Sequence, residues 1–230
     1  MDEAHNSDLR IVGGHPVLDL VNTVAPRVPG GSDHHEYLPG PGELLAWASR
    51  VGVIDEGEAR SVAAAWEAAP GSAERAWRAT LEIREAVYTA LTALVPAQPG
   101  SQLGVGEGRG DVLSQDAAYA LEHLGLRWAA ATARSALVPA GRPGRAARLV
   151  VGTSPALLLP DRFAHAAVEF LSSADLDRLR TCQVAEGGCG WLFLDLTRNG
   201  SRRWCAMADC GSQAKARRLT ERRRARRATG

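Results

Sequence analysis

The first 181 residues contain no cysteine, and all four cysteines of the chain (Cys182, Cys189, Cys205, Cys210) then follow in one short window. Cross-linking of the body through disulfides is thereby excluded. No apolar run approaches the roughly 18 residues that would span a bilayer, so no membrane-spanning helix is expected. The first ten residues, MDEAHNSDLR, are polar and acidic, unlike a secretory leader, and a cytoplasmic location is expected. In that compartment thiols stay reduced, and clustered cysteines point to a metal rather than to disulfides. Ser-His-Asp spacing, a phosphate loop and a dinucleotide fingerprint are all missing, and Gly104-x-Gly106-x-Gly108 is loop composition. Nothing in the residues argues for an enzyme. Internal repeats and a helix-turn-helix element are also absent, so base-specific reading of DNA is not indicated. Aromatic residues make up only 5% of the chain.

What is present is a charge asymmetry that the net value of +1 conceals. Residues 198–230 hold eleven basic side chains against Asp209 and Glu221, a balance of +9. The remaining 16 basic and 24 acidic residues therefore sum to −8. An acidic body with a basic end suggests a polyanionic partner, most simply nucleic acid. A solubilising Arg-rich tail is the plainer alternative.

Pattern and punctuation outline a mainly α chain with a small β-sheet or hairpin, an α+β fold. The stretch IVGGHPVLDLVNTV (11–24) opens as a short strand, turns at Gly13-Gly14 and continues as an apolar segment. A Pro/Gly loop follows at 25–42, with His34-His35 solvated in it. Helices are expected at 43–53, at 55–69 and from Ser72, which can cap the longest one, to about Val95. Residues 96–110 read as a flexible connection, and 111–125 as a helix. Residues 126–138 and 145–154, separated by PAGRPG, look extended and could pair as a hairpin, although the first is Ala-rich and could be helical. Residues 155–173 read as a helix with a proline near its first turn, and a short helix after Ser173 delivers the chain to Cys182.

The spacing C-x6-C-x15-C-x4-C supplies two nearby pairs of thiolates, and zinc takes four such ligands in a tetrahedron. Gly187, Gly188 and Gly190 surround the first pair, and Gly211 follows the second. Four thiolates close the coordination shell, so the metal would be structural, one ion held by Cys182, Cys189, Cys205 and Cys210. Four unrelated buried thiols are the alternative. Between the pairs, WLFLD (191–195) and SRRW (201–204) look like two strands joined at Asn199-Gly200. Trp191 and Trp204 would form the miniature core of this element rather than stack on bases.

At these residues the chain resembles a known family. CGWLFLDLTRNGSRRWCAMADCG, followed by AKARR, is similar to the CGNR-type zinc finger, and GGHPVLDLVNTV is similar to the opening motif of the ABATE domain that precedes it. The resemblance covers nearly the whole chain. It implies a domain at 1–175, a treble-clef- or ribbon-like four-cysteine finger at 176–220 and a basic tail at 221–230. It also implies a stress-related transcription regulator whose finger binds DNA, nucleoid-associated when so bound. Two departures stand out. The naming Cys-Gly-Asn-Arg is here Cys210-Gly211-Ser212-Gln213, which removes one cation. The first cysteine pair, usually separated by four residues, is separated by six, QVAEGG.

Candidate DNA contacts are Arg198, Arg202, Arg203, Lys215, Arg217 and Arg218, the later ones on a helix running on from Cys210. Positive charge all around that helix suits phosphate contact more than a single base-reading edge. In the body, Asp19, Asn22 and Arg84 are polar residues within apolar stretches. They could line a small-molecule effector pocket, or cap turns and pair internally. The N-terminal domain would then sense an effector or form a homodimer. A contrasting reading makes the finger a protein-docking module that does not touch DNA.

Overall fold

The computed structural model describes residues 9–27, 34–94 and 114–228. In chain order its main elements are α1 (Pro16–Val21), β1 (Val24–Ala25), β2 (His35–Glu36), α2 (Pro41–Arg50), α3 (Glu56–Ala68), α4 (Ser72–Leu94), α5 (Gln115–Ala133), β3 (Ala136–Arg142), β4 (Arg145–Val150), α6 (Leu158–Ser173), β5 (Leu179–Thr181), β6 (Leu192–Leu194) and α7 (Ser212–Ala228). The fold is mostly helical, with three small two-stranded antiparallel sheets, β1–β2, β3–β4 and β5–β6, among the described residues. Among them, no helix is long and apolar enough to cross a membrane. The expected flexible connection at 96–110 lies outside the described residues, as does the start of the helix placed at 111–125. The chain separates into two compact units.

The first unit holds α2 to α6 with the β3–β4 hairpin. Asp55 accepts the Glu58 amide at 2.8 Å while Glu58 accepts the Asp55 amide at 3.0 Å, and this reciprocal cap fixes the start of α3. In α4 the buried positions Ala76, Ala79, Ile83, Val87, Ala90 and Leu91 recur at helical spacing. Ser72 does not cap α4; its hydroxyl donates to the Trp66 carbonyl at 3.4 Å. Trp47 stacks on Phe163 with ring centroids 5.8 Å apart. Arg134, at the end of α5, holds the buried Asp161 of α6 with two hydrogen bonds of 2.8 and 2.5 Å.

The extended reading of 126–138 is corrected over its first part. Residues 126–133 complete α5, because alanine favours the helix and Leu124 and Ala131, seven apart, bury on one side of it. The hairpin begins at Ala136, and PAGRPG is mostly strand, with the reversal confined to Pro143-Gly144.

The second unit joins residues 10–27 and 34–36 to the segment from Asp175 onward. Residues 11–12, expected as a strand, run into a turn and the short helix α1. His15 caps that helix, its Nδ1 accepting the Val17 amide at 3.3 Å, with Pro16 at the first position. The finger strands also differ from expectation. β6 pairs with β5, upstream of Cys182, in the register Leu179↔Leu194 and Thr181↔Leu192. Residues 201–204 form no strand, because backbone partners for Leu192–Leu194 are supplied from β5 and from the N-terminal segment.

Candidate metal centre

β5 and β6 are the arms of a hairpin whose tip carries the first cysteine pair. The Cys182 amide donates to the Trp191 carbonyl at 2.8 Å and the Gly190 amide returns to the Cys182 carbonyl at 3.2 Å, closing the tip. A side chain at Gly188 would lie 2.7 Å from the Cys182 sulfur. Gly190, with φ of 76°, packs so closely on the Arg27 backbone that a Cβ would overlap the Arg27 carbonyl. The second pair comes from elsewhere: Cys205 from the loop after β6, and Cys210 from a π-helical turn, Met207–Gly211, that runs into α7. One pair thus comes from a hairpin tip, and the other from a loop and the helical turn that follows it.

The four sulfurs lie within 4.8 Å of one another, and Cys182, Cys205 and Cys210 are buried. Cys189 Sγ is 3.4 Å from Cys205 Sγ, which is 3.7 Å from Cys210 Sγ. Thiolates about 2.3 Å from a tetrahedral zinc are roughly 3.8 Å apart, so the cluster has the size that zinc requires. Packed together, the thiols perturb one another in opposite directions: Cys189 first, then Cys205 and Cys210, hold Cys182 below the ordinary thiol range, while Cys182 pushes Cys189 above it. Protons alone cannot let four packed thiols ionise together, whereas one divalent cation can. The chain carries one structural zinc.

The N-terminal segment forms the wall behind this centre. Asn22 spans β6 with two bonds: its Nδ2 donates to the Leu192 carbonyl at 2.8 Å, and its Oδ1 accepts the Leu192 amide at 3.0 Å. Trp191 Nε1 donates to the Val24 carbonyl at 2.7 Å, the Arg27 amide to the Cys189 carbonyl at 2.7 Å, and the Leu194 amide to the Gly13 carbonyl at 2.9 Å. Asp19 accepts the Val12 and Gly13 amides at 3.0 and 2.8 Å, which bends the incoming chain over α1. Burial pushes the Asp19 carboxyl up, and those two amides only partly offset it. Asp19 and Asn22 are thus engaged with backbone within the finger unit. Arg84 belongs to the other unit, where its Nε donates to Glu85 at 2.7 Å.

The basic residues divide sharply. Arg202, expected among the DNA contacts, is turned inward. Its guanidinium donates to the carbonyls of Trp204 (3.0 Å), Val12 (3.3 Å) and Cys205, and lies 4.3 Å from the centroid of the Phe193 ring. Carbonyls and a ring face take up its donors, so it frames the finger rather than offering itself to a ligand. Arg198, Arg203, Lys215, Arg217 and Arg218 are exposed. Arg203 donates to Gln183 Oε1 at 3.1 and 2.8 Å and pairs with Glu186, which also pairs with Arg218. Trp191 and Trp204 are each 8% exposed and serve as core.

Asp195 escapes a reading of the sequence alone. It is fully buried and organises the loop toward Arg202: it accepts the Thr197 amide at 2.9 Å, the Thr197 hydroxyl at 2.5 Å and the Arg202 amide at 2.7 Å. Burial raises its carboxyl, but these donors and the Arg180 charge outweigh that and hold it below the usual range. A carboxylate ending an apolar strand just before a turn is the available signal. An open cleft of about 470 Å³ lies beside this loop, lined by Thr197 and Ser201 to Met207.

Comparison with known families agrees with this geometry. Residues 178–223 match the CGNR zinc finger, and residues 14–174 match ABATE, described as "Putative stress-induced transcription regulator". No curated protein matches the chain.

Proposed function

This chain belongs to the ABATE family and carries a CGNR zinc finger, and from that footing we propose that it is a transcription regulator that holds DNA chiefly by its phosphates. Cys182, Cys189, Cys205 and Cys210 are the ligands of its zinc. The metal's closed shell supplies no chemistry beyond structure: it fixes the start of α7 to the β5–β6 hairpin. The observation that carries the reading is α7 itself. From Lys215 to Arg227 every residue is exposed, and the run holds eight cations against Glu221 alone. A helix that is polar and like-charged all round buries nothing and repels itself, so it is stabilised by a partner that neutralises it. Duplex DNA, with one phosphate charge per about 1.7 Å of axis, is such a partner. The family description supports the regulatory setting, and the cytoplasm is where that DNA would be met.

The test is duplex affinity across a salt series. The slope of log K against log salt should be about −0.9 for each phosphate neutralised. Substituting Arg222, Arg223 and Arg226 together by Ala should weaken binding to all sequences and flatten that slope by up to about three. A slope unchanged by the triple substitution, or no binding by the parent at low salt, overturns the proposal.

One observation favours a docking reading instead. Met207, 69% exposed, helps to line the cleft, and Leu196, 68% exposed, directly precedes its lining residue Thr197 in the chain. A protein segment seated there would bind with little salt dependence.

A further inference from the structure

Glu186 lies in the six-residue stretch between Cys182 and Cys189, on a 3-10 turn, Val184–Glu186. Each of its oxygens meets a different arginine: Oε1 pairs with Arg203, and Oε2 with Arg218 in the second turn of α7. A third guanidinium, that of Arg217, lies over the adjoining Gly187. Two cations therefore meet on one carboxylate, and a third lies beside it over the Gly187 backbone. The glutamate side chain is only 27% exposed, while Arg203 and Arg218 remain about half exposed, at 47% and 50%. The arginines are thus ordered from beneath and open to solvent above.

We propose that Arg203, Arg217 and Arg218 form a phosphate seat, and that Glu186 is its built-in counter-anion, a competitor that phosphate must displace or outbid. A carboxylate and a phosphate present the same paired acceptors to a guanidinium. The seat holds a net charge of two positive with Glu186 ionised, so two adjacent backbone phosphodiesters, each a monoanion, or the charges of one polyphosphate complete its neutralisation. Gln183 keeps Arg203 in place from the other side, through the bonds of 3.1 and 2.8 Å. The knuckle insertion then tunes affinity: it preorganises the arginines and, in return, lowers their hold on any one phosphate. The proposal names the contact that the DNA-binding reading leaves unspecified, and it rests on that reading only for the identity of the macromolecule.

The experiment uses the full-length zinc protein, with metal content checked at one per chain, and two probes: inorganic tripolyphosphate and a duplex. Glu186→Gln keeps the shape and removes the charge; Glu56→Gln, on the exposed face of α3 in the helical unit, makes the same charge change away from the seat. Glu186→Gln should bind tripolyphosphate about tenfold more tightly than the parent, Glu56→Gln less than about twofold more tightly. The gain should vanish in Glu186→Gln combined with Arg218→Ala. Equal effects of the two glutamine variants, or a gain that survives loss of Arg218, overturn the seat whatever the duplex does. A tripolyphosphate gain specific to Glu186 with no duplex binding by any variant upholds the seat and refutes duplex DNA as its macromolecule.

Discussion

In the helical unit, Trp47, Ile83, Leu91, Leu124, Leu159 and Phe163 are withdrawn from water, and the buried polar residues are Ser72, Thr80, Arg84 and Asp161. The finger unit has the smaller apolar core, with Leu18, Leu20, Leu192 and Phe193 among its members, yet it buries Asp19, Asn22, Thr23, Arg27, Thr181, Gln183 and Asp195. One unit is held by packing of aliphatic stripes on long helices. The other is held by backbone-to-side-chain bonds and by a metal centre, because elements of three to six residues cannot bury enough surface by themselves. The difference teaches that the GGHPVLDLVNTV motif belongs energetically with the finger rather than with the helices that follow it.

Removing the metal should make the largest break in that comparison. A structural zinc contributes an apparent 10–16 kcal/mol or so, and its binding is the folding of its site. Chelation, or Cys205→Ser, should therefore strip amide protection from α7's first turn, from β5 and β6, and also from α1. Protection in α4 and α6 should persist. Hydrogen exchange read peptide by peptide gives the answer, and α1 remaining protected without zinc would separate the N-terminal motif from the finger after all.

A change of one residue should sharpen the comparison more gently. Asn22→Ala removes both bonds to Leu192 and leaves that buried amide and carbonyl without these partners, a cost of about 1–3 kcal/mol. That cost falls on the zinc-bound fold of the finger unit. In a competition with a chelator, the variant should give up zinc at an effective chelator concentration up to about a hundredfold lower, at roughly 1.4 kcal/mol per factor of ten. Exchange in α4 should not change. If the variant keeps zinc as the parent does, Asn22 is free for the effector role that its polarity also allows.

Much of this is legible from local pattern. The α4 stripe and the four-cysteine cluster both follow from residues close together along the chain. What is not legible depends on partners far along the chain. Asn22 suits a ligand equally well by sequence because its partner, Leu192, is 170 positions away. Arg202 reads as a projecting cation because the carbonyl of Val12, 190 positions away, and the Phe193 ring that draw it inward are assembled only by the fold. The strand partner of β6 is hidden for a related reason: an Asn-Gly turn signals a hairpin locally, but Asp195 takes the Thr197 and Arg202 amides and folds that turn into a loop. Alanine-rich 126–133 is ambiguous by composition, and burial at helical spacing decides it.

The smallest expected effect contrasts the acid behaviour of the two units. Glu58 is held below its ordinary value of 4.5, first by its hydrogen bond from Arg162, against the opposing effect of burial, and with help from the Asp55 amide. The unfolded chain restores the ordinary value and so takes up the proton first as pH falls. The stabilisation is complete above about pH 4.5 and is lost as pH descends through the lower folded value. Because Glu58 is a third exposed and Arg162 nearly a quarter, the contribution is at most about 1 kcal/mol. Glu58→Gln should remove this part of the acid sensitivity of α3 and α6, read by hydrogen exchange at matched pH, while acid release of zinc from the finger unit proceeds as in the parent. The two titrations therefore separate. If Glu58→Gln instead shifts zinc release, the helical unit and the finger unit share more of their stability than packing on one side and metal on the other would allow.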